Sequence, residues 1–214
     1  MEENKIFSKV FMWMFIGLLI TFGVGAIVAA NENMVYNVFN NLYIWLVLAQ
    51  FGVVIFLSAR LQKMQEITAT ILFVLYSALT GLTFSSIFVV FELTSIMMVF
   101  GITAAVFGVF AFIGYFTKMN LLKWHTYLFM ALFGLILASL INMFVGNSTA
   151  DLVICSIGIV IFVIYTAYDM QKIKLLSSTM ESEHKVAIIG ALELYLDFIN
   201  LFLYIIQLIG KNRD

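Results

Sequence analysis

Seven long apolar stretches constrain the fold of this chain more than any other feature of its sequence. Each is about 20 residues long, which at about 1.5 Å per residue crosses the roughly 30 Å hydrocarbon core of a membrane. The stretches lie at approximately 10–30, 42–59, 67–91, 94–116, 126–145, 152–172 and 186–210. Because the connections between them are short, the sequence predicts one all-α domain over residues 1–214 with seven transmembrane helices.

The composition agrees with a membrane protein and argues against several other classes. Hydrophobic residues make up 64% of the 214 residues and charged residues only 11%, whereas about a quarter of a soluble domain is charged. The net charge of -1 provides no basic face for nucleic acid. The one cysteine, Cys155, has no partner for a disulfide within the chain. We therefore expect membrane lipid as the surroundings, no nucleic-acid partner and no resident cofactor.

Small residues, rather than prolines, are predicted to shape the packing of these helices. The chain contains no proline, so a proline kink is excluded. Small residues that recur every four positions allow helix backbones to approach closely. Three sets have this spacing: Thr21 with Gly25 and Ala29, Ser77 with Gly81 and Ser85, and Ala104 with Gly108.

The basic residues predict the orientation of the chain in the cell membrane. In a seven-span arrangement nearly all of them fall on one side, namely Lys5, Lys9, Arg60, Lys63, Lys118, Lys123, Lys172, Lys174 and Lys185. By the positive-inside rule this side is cytoplasmic. The amino terminus is then inside and the carboxyl terminus outside, with Lys211 and Arg213 of the short tail as the exceptions.

A row of polar side chains runs through the last apolar stretch at steps of four, three, four and three. Its members are Glu193, Asp197, Asn200, Tyr204 and Gln207. This spacing places them on one face of a helix. A charged side chain at the centre of a bilayer costs at least about 2.5 kcal/mol. We therefore expect this face to line the bundle interior or a water-filled path, and the seventh helix to lie at the centre of the fold.

Two further ionisable residues, Asp169 and Arg60, lie near the inner ends of the sixth and second stretches. Counted from the outer ends, Arg60 and Asp169 lie about 27 Å deep, Glu193 about 26 Å and Asp197 about 20 Å. Several acids beside a single arginine leave an excess of negative charge, so we expect the acids to share a proton and respond to pH. A buried ionic cluster that only joins helices is the alternative.

The sequence resembles a known family through the stretches that contain these acids. "YDMQKI" and "ALELYLDFINLFLYIIQLIG", in a seven-helix chain of this length, are similar to the transmembrane Bax inhibitor motif family, also called the lifeguard family. The similarity covers essentially the whole chain. It implies two three-helix layers around a central seventh helix and, as in bacterial members, a pH-sensitive calcium leak channel. Calcium ions and protons would then be the species that the protein handles.

The resemblance also implies roles for individual residues. Asp169 and Asp197 match the two aspartates that share a hydrogen bond, sense pH and lie on the calcium path. Arg60 matches the arginine that latches this pair. We expect Glu193 and Asn200 to add polar groups to the pore.

Two positions depart from the family pattern. Relatives often have a carboxylate midway along the second helix, where this chain has the amide Gln50. Glu193 stands where relatives commonly have a serine or an asparagine. Both departures affect the lining of the expected pore and the pH at which it responds.

Three other functions fit parts of the same pattern. A proton-coupled cation antiporter uses buried acids in the same way, but its calcium flux requires a counter-gradient. A membrane-embedded regulator that docks onto another membrane protein is known in the family and would add a membrane-protein partner. An intramembrane aspartyl protease pairs two aspartates, but it uses a GxGD motif and a proline-bearing partner motif, which this chain lacks. We therefore expect no enzymatic activity.

Overall fold

The computed structural model describes residues 2–60 and 63–211, and every regular element within them is helical. The α-helices are α1 (Glu2–Ala29), α2 (Glu32–Asn37), α3 (Tyr43–Arg60), α4 (Glu66–Val90), α5 (Leu93–Phe116), α6 (His125–Val145), α7 (Ser148–Thr179) and α8 (Glu183–Lys211). Within these described residues, seven segments are long and apolar enough to cross a membrane. The predicted fold class is thus confirmed. The tail residues 212–214, on which the predicted outer carboxyl terminus depends, lie outside the described residues.

The second span begins earlier than predicted. The sequence "NENMVYN" lies between the first two predicted stretches, 10–30 and 42–59. However, α2 starts at Glu32, and the Oδ1 atom of Asn31 accepts a hydrogen bond from the Met34 backbone at 3.2 Å. A π-helical turn, Val38–Leu42, connects α2 to α3. Val38 is buried in this turn and packs with Val28 and Leu46. Polar residues lowered the local hydropathy here without ending the helix.

The sixth span is also longer than predicted, because α7 continues to Thr179 rather than ending near residue 172. Lysines end an apolar run but are good helix formers, so hydropathy alone places the end of the helix too early. Lys174 illustrates this point: its Nζ atom lies 4.8 Å from the centre of the Tyr115 ring, a cation–π contact.

The chain forms two compact units. The first contains Met1–Ile96 and Leu176–Tyr195, and the second contains Met97–Leu175 and Leu196–Asp214. Helices α5, α7 and α8 each contribute to both units. The single domain and the two-layer arrangement expected from the sequence remain predictions.

In the first unit, α1 packs against α4 at two glycines that leave no room for a side chain. A Cβ atom on Gly81 would lie 2.7 Å from the Thr21 carbonyl oxygen and 2.7 Å from the Val24 Cβ atom. A Cβ atom on Gly17 would lie 2.7 Å from the Phe73 ring. The first two sets of small residues therefore mark a close helix contact, as predicted.

Hydroxyl groups join three helices in the interior of the first unit. The Thr21 hydroxyl donates to the Ser77 carbonyl oxygen at 2.9 Å and lies 2.6 Å from the Tyr195 hydroxyl. Because Thr21 donates its only hydroxyl proton to the Ser77 carbonyl oxygen, the Tyr195 hydroxyl is the donor in the second bond. Tyr195 is fully buried, so this chain of two hydrogen bonds joins the first half of α8 to α1 and α4.

The third set of small residues does not mark a helix contact, and this part of the prediction was wrong. Ala104 and Gly108 are exposed, and a Cβ atom on Gly108 would meet no neighbouring atom. In the second unit it is Gly114 that approaches another helix, since its Cβ atom would lie 2.5 Å from the Ala167 Cα atom. Spacing alone does not show which face of an apolar helix meets protein and which meets lipid.

Helices α6 and α7 are joined by a tightly hydrogen-bonded connection in the second unit. The Asn142 side chain donates to the Asn147 carbonyl oxygen at 3.0 Å and to the Asp151 carboxylate. Gly146 ends α6 with a φ of 69°, which favours glycine. These bonds engage Asp151, which lies just before the sixth apolar stretch.

Replacing Gly81 with alanine should destabilise the protein, because the new methyl group would collide with the α1 backbone. The expected loss is about 1–3 kcal/mol, measured by reversible unfolding of the purified protein in detergent micelles. Gly108→Ala is the matched control and should leave stability unchanged or raise it by up to about 1 kcal/mol. Equal stabilities of the two variants would contradict this account of the α1–α4 contact.

Candidate functional site

Helix α8, which contains the polar row, is the most buried of the seven spans. In its most apolar stretch 78% of the residues are buried, compared with 11–44% in the other six. A helix that is apolar nearly all round and yet holds two acids needs protein neighbours rather than lipid. The burial of α8 therefore agrees with the expectation that the polar row does not face the bilayer.

Asp169 and Asp197 are both buried in the second unit. Asp169 on α7 is 6% exposed and Asp197 on α8 is 3% exposed. The half-buried Tyr165 lies one turn before Asp169, and its phenol is close enough to both carboxyl groups to feel their charge. The structure therefore brings the two predicted acids into one neighbourhood around Tyr165.

Aromatic rings pack beside Asp197. Phe198, the next residue, contacts Phe100 and Phe107 of α5 with ring centroids 5.3 Å and 5.6 Å apart. These contacts fix the backbone of α8 at the position of Asp197. The carboxyl group is thus held on a well-packed helix rather than on a loop.

The second half of the polar row, from Asn200 to Gln207, makes several contacts within the second unit. The Asn200 amide donates to the Leu196 carbonyl oxygen of its own helix at 2.8 Å. Tyr204 lies against Gly158 and stacks on Phe162 at a centroid distance of 5.9 Å. Gln207 is exposed near the end of α8, and its Oε1 atom accepts a hydrogen bond from the Cys155 Sγ atom of α7 at 3.7 Å. Both Tyr204 and Gln207 thus contact α7.

Glu193 and Arg60 belong to the first unit. Glu193 is half-buried on α8, and Arg60 is the exposed last residue of α3. Their roles as a pore group and a latch stay predictions. The Nε2 atom of Gln50 lies 3.4 Å from both the Leu79 carbonyl oxygen and the Thr83 hydroxyl. This amide therefore ties α3 to α4.

Two tyrosines with defined surroundings, Tyr165 in the second unit and Tyr195 in the first, were not predicted from the sequence. Tyr165 has a usable signal, because a residue four positions before Asp169 lies on the same helix face. No signal in the sequence indicates the contact between Tyr195 and Thr21, because the two residues are 174 positions apart.

The arrangement around Tyr165 has a definite chemistry. Carboxyl groups that interact strongly titrate as a coupled pair, so that the protonation state of each depends on the other. When ionised, carboxylates are preferred ligands of Ca²⁺. Among the residues that the structure describes, no group of three or more His, Cys, Asp or Glu side chains is placed to hold a metal ion.

Comparison with known proteins gives consistent matches over the whole chain. The family described as "Inhibitor of apoptosis-promoting Bax1" matches residues 3–214. An uncharacterized protein of Borreliella burgdorferi is 43% identical, over 99% of this chain and 94% of its own length. The inner membrane protein YbhL of Escherichia coli K12 is 42% identical, over 96% of this chain and 91% of its own length.

A more distant relative extends this agreement to another bacterial genus. An uncharacterized protein of Deinococcus radiodurans is 38% identical over 100% of this chain and 93% of its own length. The matched residues include all seven candidate spans and both buried aspartates. The chain therefore belongs to the Bax inhibitor-1 family of multi-pass membrane proteins.

Proposed function

We propose that this protein is a pH-sensitive calcium leak channel of the cell membrane in which Asp169 and Asp197 form the pH-responsive element. The observation that supports it most directly is the burial of both aspartates, 6% and 3% exposed, in one neighbourhood of the second unit. Membership of the Bax inhibitor-1 family supports the same function. YbhL is named an inner membrane protein, which supports the location.

The proposed mechanism follows from the charge of the pair. At low pH the pair is protonated, and a neutral pair binds cations poorly. Loss of both protons leaves two negative charges, which at about 4 Å and an effective dielectric near 20 would repel by about 4 kcal/mol. Either the helices separate or a cation enters between the carboxylates. Calcium passage should therefore increase as the pH rises through the titration of the pair.

The proposed orientation follows the basic residues, with the amino terminus in the cytoplasm. Arg60 then lies at the cytoplasmic end of the second span, near the membrane boundary. There its charge can favour the ionised state of acids at similar depth. In this proposal the arginine latches the acidic pair, and Glu193 and Asn200 contribute polar groups along α8.

The purified protein should pass calcium down its gradient in sealed liposomes that contain a calcium-sensitive dye. The rate should exceed that of empty liposomes and should be higher at about pH 8 than at about pH 5, since only the ionised pair attracts calcium. A leak needs no proton gradient, whereas an antiporter does. Calcium entry that requires an imposed pH gradient would favour the antiporter, and no entry above the empty control at any pH would refute the proposal.

Asp197→Asn should flatten the pH dependence of this flux over the neutral range and weaken calcium binding about tenfold or more, because one of two paired charges is lost. Asp169→Asn should do the same, since the titration belongs to the pair. Glu193→Gln is the matched control and should retain a pH response. If Glu193→Gln abolished the response and Asp197→Asn preserved it, the pair would instead be Asp169 with Glu193.

Arg60→Ala should change the resting leak and move the pH profile, because the ionised acids lose a favourable positive charge. Arg60→Lys keeps the charge and should remain close to the wild type in the same flux assay. A profile for Arg60→Ala that coincides with the wild type would identify Arg60 as a side chain that only extends to the membrane surface.

A further inference from the structure

A groove in the first unit runs along α2 and the π-helical turn that follows it. Its volume is about 480 Å³, which lies in the range of sites that bind small molecules. The residues of this segment that line the groove are spaced as i, i+3, i+4, i+7 and i+8, so they share one helix face. They are Glu32, Val35, Tyr36, Phe39 and Asn40.

The rest of the lining comes from the ends of α1 and α4. It contains Ala29, the last residue of α1, and Phe88 and Val89, which lie just before the end of α4. Both helices are candidate membrane spans that end here. The groove therefore lies at a membrane boundary, which is the depth of the lipid headgroups.

Contacts within the protein hold the aromatic rings of the groove in place. Phe88 packs against Gly25, where a Cβ atom would lie 3.0 Å from its ring, and meets Phe22 edge to face at a centroid distance of 6.2 Å. Phe39 stacks on Tyr43 at a centroid distance of 5.8 Å. These fixed apolar walls suit an acyl chain.

Three polar side chains follow one another along the groove. Glu32 and Tyr36 are four residues apart and are thus neighbours on one helix face. A carboxylate binds an ammonium group through charge-assisted hydrogen bonds, and the face of an aromatic ring attracts the same cation. The first turn of the groove therefore has the chemistry of an ammonium site.

Asn40 lies further along the groove, about 12 Å from Glu32 if each residue rises about 1.5 Å. Its amide donates one N–H to the Tyr36 carbonyl oxygen at 3.1 Å. A side-chain amide has a second N–H, which can donate to an ester oxygen. In a phospholipid the ammonium and ester groups are separated by a comparable length of chain.

The charges around the groove favour a positive group. Among the residues that the structure describes, Glu32 is the charged member of the lining, and Glu92 is exposed just after α4. The basic residues described in the first unit lie near the other ends of their helices. They are Lys5, Lys9, Arg60, Lys63 and Lys185. An ammonium group would therefore be attracted, and an anionic headgroup would be repelled.

A calcium ion matches the groove less well than an ammonium group does. Calcium takes about six to eight oxygen ligands, whereas the lining described above contains a single carboxylate, that of Glu32. Most of the other lining residues are aliphatic or aromatic. The mixture of one acid with apolar walls favours an amphiphile.

We propose that this groove binds a phospholipid whose headgroup carries an ammonium group. Glu32 and Tyr36 hold the ammonium group, and Asn40 donates to the ester region. One acyl chain packs against Phe39 and Phe88. A π turn is rare and frequently occurs at functional sites, and here it supplies Phe39 and Asn40. The proposal concerns the first unit and does not rest on the channel function.

Native mass spectrometry of the purified protein, with lipids added in detergent, tests this site. Phosphatidylethanolamine should bind about tenfold more tightly than phosphatidylglycerol with the same acyl chains, because only its headgroup has an ammonium group for Glu32. Equal binding of the two lipids, or tighter binding of phosphatidylglycerol, would overturn the proposal.

Variants of the ammonium site give the second part of the test. Glu32→Gln should weaken the binding of phosphatidylethanolamine about tenfold, and Tyr36→Ala should weaken it about threefold. Both side chains are exposed, so these variants should fold. Glu92→Gln is the matched control, since it removes an exposed acid outside the groove lining, and it should bind like the wild type. A preference for phosphatidylethanolamine that survives Glu32→Gln would overturn the proposal.

A photoreactive lipid locates the ligand and identifies its source. Phosphatidylethanolamine with a photoreactive acyl chain should label the peptides that contain Phe39 or Phe88. Unlabelled phosphatidylethanolamine should compete, whereas glycerophosphoethanolamine, which has the headgroup without acyl chains, should not. Labelling confined to other helices, or equal competition by the soluble headgroup, would overturn the lipid site. A dimer that Phe39→Ala dissociates would also overturn it, because a second copy of the chain would then fill the groove.

Discussion

A carboxyl group within a membrane-spanning helix must be surrounded by something other than lipid, and the rest of this structure depends on that requirement. Asp197 and Glu193 lie on α8, so α8 is covered by protein along most of its length. The acid on α7 is buried in turn because it faces protein in the second unit. The energetic cost of the acids therefore determines which helix is enclosed, while the more apolar spans are left to meet lipid.

Several hydroxyl-bearing side chains in the described spans bond to their own helix. Hydroxyl groups of Ser77, Thr80, Thr103 and Thr166 each donate to the carbonyl oxygen four residues earlier. Such bonds satisfy the hydroxyl without specifying a neighbouring helix. Specific pairing therefore depends on bonds that cross between helices, such as the one from Tyr195 to Thr21, and on glycines that allow another backbone to approach closely.

Much of the fold is evident from the sequence, because hydropathy reports directly on membrane crossing. The seven spans, the enclosed last helix and the two buried aspartates all follow from runs of apolar residues and the positions of acids within them. The errors occur where hydropathy and helicity differ. Lys172 and Lys174 end an apolar run inside α7, and "NENMVYN" is polar but mostly helical.

The surroundings of the candidate site were less predictable for a related reason. Spacing identifies residues that share a face of one helix, so Tyr165 could have been found from its position relative to Asp169. Spacing does not identify contact partners that lie on different helices. The same limitation applies to Gly108, whose four-residue spacing matches that of Gly81 although only Gly81 meets another helix. Contacts between distant segments depend on the packing of the whole unit.

The π-helical turn of the second span shows how a membrane helix can absorb an inserted residue without proline. Val38 and Leu46 both pack with Val28, yet eight residues of ideal α-helix would rotate them about 80° apart. A π turn holds one residue more than an α turn, which removes most of that offset. Deleting one residue within Val38–Leu42 would allow a regular α-helix with the same packing face. The turn therefore marks a position where chain length can vary by one residue while the buried face of the span is kept.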